Sequence, residues 1–405
     1  MNRQNPISSE EIMARATAMQ DQIVGWRRTI HQHPELSFTE VKTARLVHSV
    51  LQDLGIEAET GVAKTGVVGH IGDGGQTVGL RADMDALPIQ EENGTAFDSK
   101  RSGLMHACGH DCHTAMLLGA ATILKGFADE GRLPGSVRLL FQPSEENRDD
   151  ENLSGGERMV NEGALDGVDA VFGMHVNPTG LAGTINTRSG PIMAAGDKVE
   201  VTIHGKGGHG AAPHMANDPL VLAAHFLLAA QNIVSRRLDP LETGVVSLAT
   251  IHGGEAMNVI PETVTICGTM RSFTPETRKH LQNEMRRAAK VVDALGGKAN
   301  VEITEWYPAT VNDVAATQVV FDSAKKLLGN ERVFETKPRM AGEDFSYMLQ
   351  TTPGCFLSLG VKGADWDRTY MVHTPTFRVD ESALPIGTAT MVAAAVEWMT
   401  TRGGG

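Results

Sequence analysis

Residues 77–85 read TVGLRADMD, residues 137–146 read VRLLFQPSEE and residues 170–175 read AVFGMH. Each is a short apolar run that ends in residues able to bind a metal ion or move a proton. The runs at 77–81, 137–141 and 170–172 have the length and continuous apolarity of strands buried on both faces. A strongly apolar helical stretch at 115–124 lies between the first two. Strands alternating with helices predict an α/β domain whose sheet is at least partly parallel. In open α/β sheets, sites form beyond the carboxyl ends of the strands. The acids Asp83, Asp85, Glu145 and Glu146 and the imidazole of His175 are therefore expected along one edge.

A fourth segment, MHACGHD at 105–111, precedes the apolar helix. Cys108 and His110, two apart across a glycine, can face one centre if the loop is extended. Thiolate, imidazole and carboxylate together are the donor set of a first-row metal site. A lone histidine is usually a surface or satisfied core residue, and paired glutamates are usually a solvated face. The recurrence of donors after strand ends favours the metal. The main rival chemistry is Cys108 as a covalent nucleophile beside His110.

Outward from these strands the rhythm changes. Residues 198–204 alternate, 219–234 are helical, 245–251 and 264–270 read as paired strands, 275–295 form a helix with Pro275 in its first turn, and 301–306 alternate again. Strand–helix–strand–strand–helix–strand is the ferredoxin-like pattern. The expected architecture is an α/β catalytic domain of residues 1–187 and 307–405, interrupted at 188–306 by an inserted ferredoxin-like α+β domain. Residues 8–31 read as one amphipathic opening helix. GKGGHG at 205–210 fits the GxGxxG pattern, but Pro213 and Pro219 leave no room for a helix there, and no acid follows about twenty residues on. The nucleotide reading is rejected.

The chain has 405 residues and a net charge of −13, with no basic block. That balance argues against nucleic-acid or anionic-membrane partners. The apolar stretch near 220–230 is too short to span a bilayer, and the N-terminus has no apolar secretory core. Four cysteines (Cys108, Cys112, Cys267, Cys355) in a chain of this size do not form a disulfide framework. A cytoplasmic location is expected. The final Gly403-Gly404-Gly405 reads as a frayed tail.

HQHPELSFTE (31–40), RADMDALPI (81–89), MHACGHD (105–111), FQPSEE (141–146), GMHV (173–176), GKGGHGAAPH (205–214), NVIPETVTICGTMR (258–271), AGEDF (341–345) and VHTP (372–375) occur in one order. In that order they resemble the hippurate hydrolase and indoleacetyl-amino-acid hydrolase branch of the dinuclear-metal aminoacylase/carboxypeptidase family, over residues 31–387. The resemblance implies a metal-dependent amidohydrolase acting on N-acyl amino acids or similar small carboxylates, with a lid domain that also joins a homodimer. It implies two divalent ions, zinc or manganese first and cobalt or nickel next, held by Cys108, His110, Glu146, His175 and His373, with Cys108 bridging. It makes Glu145 the general base and Asp85 the residue that orients a ligand. His209 is implied to reach across the dimer to the scissile carbonyl oxygen, while Arg271 and Asn258 hold the substrate carboxylate and His214 adds a polar contact. Asp83 stands where other branches carry a ligand histidine. His106, Asp111 and His113 are read as structural, and Gly342-Glu343-Asp344-Phe345 as pocket wall.

Two departures stand out. The charged loop 147–152 (NRDDEN) replaces the glycines that the family usually has after FQPSEE, and Val372 precedes His373. The loop keeps open hydrolytic deamination of an aminoaromatic acid on the same metal site. A non-catalytic metal- or ligand-binding homologue is the rival from another class, and the presence of Glu145 and every ligand counts against it.

Overall fold

The computed structural model describes residues 6–402, so the glycine tail lies outside the described residues. The chain forms two compact units: 6–192 with 311–337 and 344–402, and 193–310 with 338–343. The sequence reading placed the insertion at 188–306. Residues 338–343 join the second unit because the Ala194 amide donates to the carbonyls of Arg339 (3.1 Å) and Ala341 (2.9 Å).

The first unit is built on an eight-stranded sheet. Its order is Glu57–Val62, Gly66–Ile71, Ser136–Gln142, Thr77–Asp83, Ala170–Leu181, Gly354–Lys362, Ile185–Thr187 and Val333–Glu335. Thr77–Asp83 runs parallel to both Ser136–Gln142 and Ala170–Leu181, and Gly354–Lys362 runs parallel to Ala170–Leu181. The ends of Thr77–Asp83 and Ser136–Gln142 therefore emerge together, whereas Ala170–Leu181 runs on past them, so His175, expected just beyond a strand end, lies within its strand, paired with Ser358. Apolar burial holds this arrangement, because Val78, Leu80, Leu139, Phe141, Val171 and Phe172 are all essentially inaccessible. The helix His110–Asp129 is buried for most of its length, as its continuous apolar run requires. The expected single opening helix is two, Ser9–Ala18 and Gln20–Gln32, because Met19 leaves helical geometry (φ −94°, ψ 4°).

The second unit is a four-stranded antiparallel sheet in the order Gly244–His252, Thr263–Ser272, Ala195–His204, Lys298–Glu305. Numbered along the chain, that order is 2-3-1-4, which is ferredoxin-like. Helices Pro219–Asn232 and Pro275–Ala294 cover the sheet, with Leu222, Phe226, Leu281, Met285 and Val292 meeting Val199, Val201, Ile203, Val264 and Ile266 in the core. No helix opens at 205–210, where Gly208–His209 instead pairs with Val259–Ile260. Among the described residues no helix is long and apolar enough to cross a membrane.

Candidate metal centre

Two strand ends, the middle of Ala170–Leu181 and the start of helix His110–Asp129 meet around Cys108. Cys108 and His110 face one centre, but not through an extended loop. Gly109 adopts a left-handed conformation (φ 93°) as the N-cap of the helix, and His110 is its first residue. A Cβ on Gly109 would lie 2.4 Å from Val176 Cγ2, so only glycine fits this turn.

Two donor sets share the thiol. Cys108, His110 and His175 form one, and Cys108, Glu146 and His373 form the other, each with its donor atoms within 4.8 Å of one another. Cys108 Sγ lies 3.3 Å from His175 Nε2 and 3.3 Å from His373 Nε2, and His373 Nε2 lies 3.0 Å from Glu146 Oε1. His373 is held at φ 61° while its amide donates to the Ala107 carbonyl (2.8 Å).

The hydrogen bonds settle which nitrogens face the centre. His110 Nδ1 donates to Asp85 Oδ1 at 3.1 Å, and its buried Nε2 has no hydrogen-bond partner. His175 Nδ1 donates to the Val176 carbonyl at 2.7 Å, which turns the lone pair of Nε2 toward Cys108. His113 differs. Its Nε2 accepts from the Val176 amide at 2.9 Å, so Nδ1 carries the proton given to Asp83 Oδ1 at 2.6 Å. Both of its nitrogens are engaged, which makes His113 a brace and not a ligand. Asp83 is likewise committed, to His113 and to Arg81 Nη1 at 2.7 Å.

Asp85 organises the rest. Its Oδ1 accepts from the Glu145 amide (3.0 Å) and its Oδ2 from the Glu146 amide (3.0 Å) and Ser37 Oγ (2.7 Å). This places the carboxylates of both glutamates beside His110. Burial opposes ionisation of Asp85, but the bonds from His110, Ser37 and the Glu146 amide hold its carboxyl below the usual range.

The electrostatics call for a cation. Burial works against a charged His110, yet Asp83, Asp85 and Glu146 push its pKa up to about 10. Burial, reinforced by Glu146, Glu145 and Asp83, pushes the Cys108 thiol well above its ordinary value. A thiol so disfavoured as an anion is a poor nucleophile without a positive partner. Uncompensated buried carboxylates are costly, and a divalent ion satisfies acids, imidazole lone pairs and thiolate together. The residues present fit such ions.

Sequence reasoning missed several supports. Arg81 donates to Gln142 Oε1, Asp83 Oδ2 and Asp344 Oδ1, tying three segments behind the strand ends. Its place two residues before Asp83, on the same face of the strand, was the available signal. Glu40 and Ser37, within the quoted 31–40 motif, also bond to the site. Asp111 pairs with Arg27 and His31, and His106 is buried.

The remaining candidates lie in the second unit. His209, His214 and Asn258 come together and are exposed: Val259 is the register partner of His209, the Gly210 amide donates to the Asn258 carbonyl (2.8 Å), and His214 lies in the turn that follows. Arg271 does not join them. It is the register partner of Gly196, whereas Thr263, at the other end of the same strand, pairs with His204. Eight residue steps separate Thr263 from Arg271, about 27 Å of strand. Asn258, which precedes Thr263, and Arg271 of one chain therefore lie far apart along this sheet.

Comparison with known proteins agrees with the architecture. A family model described as peptidase family M20/M25/M40 matches residues 79–397. The N-acetyl-L-cysteine deacetylase of Bacillus subtilis (strain 168) is 41% identical over 372 residues, covering 91% of this chain and 86% of its own. The IAA-amino acid hydrolase ILR1-like 5 of Arabidopsis thaliana is 39% identical over 391 residues, covering 94% and 87%. The crystal structure of the Bacillus subtilis YXEP protein, described as a dinuclear metal binding peptidase from the M20 family, superposes with a TM-score of 0.82 at 33% identity, covering 95% and 99%. With a matched model over most of the chain and relatives at about 40% identity across nine-tenths of it, the chain belongs to the M20/M25/M40 peptidase family of hydrolases.

Proposed function

We propose that this protein hydrolyses the amide bond of N-acyl amino acids or similar small carboxylates, with Glu145 as general base beside two divalent ions. The observation that carries the reading is the pair of donor sets sharing Cys108, with Glu145 held next to them by Asp85. Cys108, His110 and His175 would hold one ion, and Cys108, Glu146 and His373 the other. Zinc or manganese suits these donors best, with cobalt or nickel next. Bound there, the ions supply Lewis-acid polarisation of the substrate carbonyl and acidify the attacking water.

The protein's own groups do the rest. Glu145 accepts a proton from the attacking water and returns it to the departing amine. Asp85 fixes the backbone of both glutamates and the tautomer of His110, so the base does not reorganise during the reaction. The remaining roles follow the family resemblance. Arg271 binds the substrate carboxylate, and among the described residues it has no ion-pair partner, so its fork is available. His209 donates to the developing oxyanion, Asn258 of the other protomer joins Arg271 in holding the carboxylate, and His214 adds a polar contact.

The spacing of Arg271 and His209 supports a homodimer in which the two act on one substrate from different chains. The exposed Leu220, Val221 and Leu228 on helix Pro219–Asn232 and the edge strand Gly244–His252 offer a surface for that association. Four unpaired cysteines fit a cytoplasmic location.

The test is to strip the protein, reload it separately with Zn, Mn, Co and Ni, and offer N-acetyl, N-benzoyl and indoleacetyl amino acids alongside aminoaromatic acids. Metal-restored amide cleavage at about two ions per chain supports the reading. Turnover of the aromatic amines alone would replace it with deamination, and failure to bind metal would overturn the site.

A further inference from the structure

Three consecutive amides, those of Ser144, Glu145 and Glu146, are each captured by a buried carboxylate. Asp85 takes the second and third, and Glu40 takes the first: the Ser144 amide donates to Glu40 Oε1 at 2.9 Å. Ser144 is in the left-handed region at φ 46°, costly for a residue with a side chain. Such a conformation persists only where its surroundings over-determine it.

Glu40 is where several strained segments converge. The same Oε1 accepts from the amide of Phe38, itself at φ 60°, at 2.9 Å. Its Oε2 accepts from Thr65 Oγ1, directly after Ala63 and Lys64 at φ 51° and 78°. Glu40 is fully buried, and every bond it receives is from a neutral donor. Behind the turn, a Cβ on Gly155 would lie 1.7 Å from the Pro143 carbonyl oxygen, so the backbone there is in close contact with its support. The Gly155 amide donates to the Ser144 carbonyl at 2.9 Å, and Ser144 Oγ donates to the Asn147 carbonyl at 3.0 Å.

We propose that Glu40 is a positioning residue whose carboxylate locks the left-handed turn at Ser144 and so aims Glu145 and Glu146. The proposal rests on the reading of Glu145 as the base. An acid buried without a cation is an expensive support: burial, with the nearby Asp85, pushes its pKa up to about 7. The chain gains from it an acceptor that reaches two left-handed amides at once.

The experiment compares Glu40→Ala and Glu40→Gln in metal-reloaded full-length protein by hydrogen exchange, metal content and steady-state kinetics. Glutamine keeps an oxygen for the two amides, and the Thr65 hydroxyl can accept from its NH2 group. In Glu40→Ala, exchange in a peptide covering 141–148 is expected to accelerate. kcat should fall about ten- to a hundred-fold, as for a displaced catalytic group, with KM little changed and the fall persisting when saturating metal makes good any weakened binding at Glu146. Glu40→Gln should restore protection and most of kcat. Thr65→Val, which removes one support of Glu40, should move the same two readouts in the direction of alanine but less far. Wild-type exchange and kcat in Glu40→Ala, or a glutamine variant as impaired as alanine, would overturn the proposal. So would an alanine variant whose kcat returns fully on saturating metal. If wild-type protein cleaves no amide under any metal, the proposed function fails, while the exchange comparison still decides whether Glu40 locks the turn.

Discussion

His110 gives its Nδ1 proton to Asp85 Oδ1 across 3.1 Å, which leaves Nε2 as the nitrogen facing Cys108 and the glutamates. Asparagine at 85 would set an NH2 group against one of the donors Asp85 now accepts from. Asp85→Asn is expected to weaken metal binding about 10- to 100-fold and to lower kcat. Competition titration against a chromogenic chelator reads the first effect, and unchanged affinity would show that Asp85 does not set the ligand geometry.

Glu145→Gln keeps the shape of the side chain and removes its basicity. The variant should bind both ions as the wild type does and lose about 10²- to 10⁴-fold in kcat. Elemental analysis with single-turnover hydrolysis separates the two readouts. A variant that loses metal in proportion to activity would instead place Glu145 among the ligands.

Mixed dimers test the second unit. His209→Ala and Arg271→Ala should each be nearly inactive. If each site draws Arg271 from one chain and His209 from the other, randomised mixtures regain about a quarter of wild-type activity, because half the dimers carry one intact site. No recovery in verified heterodimers would confine both residues to one chain's site.

The buried cluster behind the helix start makes stability depend on pH. His31 Nδ1 lies 2.8 Å from Asp111 Oδ2 and its Nε2 lies 3.0 Å from Glu91 Oε1, while Arg27 Nε lies 2.7 Å from Asp111. Burial and the Arg27 charge push the His31 pKa down, but Asp111 and Glu91 outweigh them and the net direction is up. A raised folded-state value means the stabilisation is fully present below the unfolded histidine pKa of about 6.5. It is lost as pH rises through the folded value. His31→Gln should cost about 3 kcal/mol at pH 6, with the difference from wild type shrinking at alkaline pH in urea unfolding. A pH-independent difference would mean that His31 is not charged in the fold.

Gly109→Ala combines a positive φ with a methyl 2.4 Å from Val176 Cγ2. A loss of about 2–4 kcal/mol is expected, with impaired metal uptake because Cys108 and His110 flank the turn. Thermal unfolding of the metal-free protein isolates the first effect.

The strands that carry Asp83, Gln142 and His175 were readable because buried parallel strands leave continuous apolar runs with polar punctuation, although the third continues to Leu181. The ferredoxin-like unit was readable for a complementary reason, since its half-exposed strands alternate. The Gly109 turn was misjudged, because spacing alone cannot distinguish an extended loop from a left-handed helix cap. Arg81, Glu40 and Ser37 were not identified, since beside the local Arg81–Asp83 and Phe38–Glu40 bonds they act through pairings 25 to 263 residues distant in sequence. The distance between Asn258 and Arg271 was also hidden, because it depends on strand register and not on motif order.

Cys108 belongs to both donor sets, and in the proposed centre this gives two ions a single vulnerable atom. Oxidation of that sulfur would withdraw a ligand from both positions at once, so peroxide should silence the centre in one step, with no half-loaded stage.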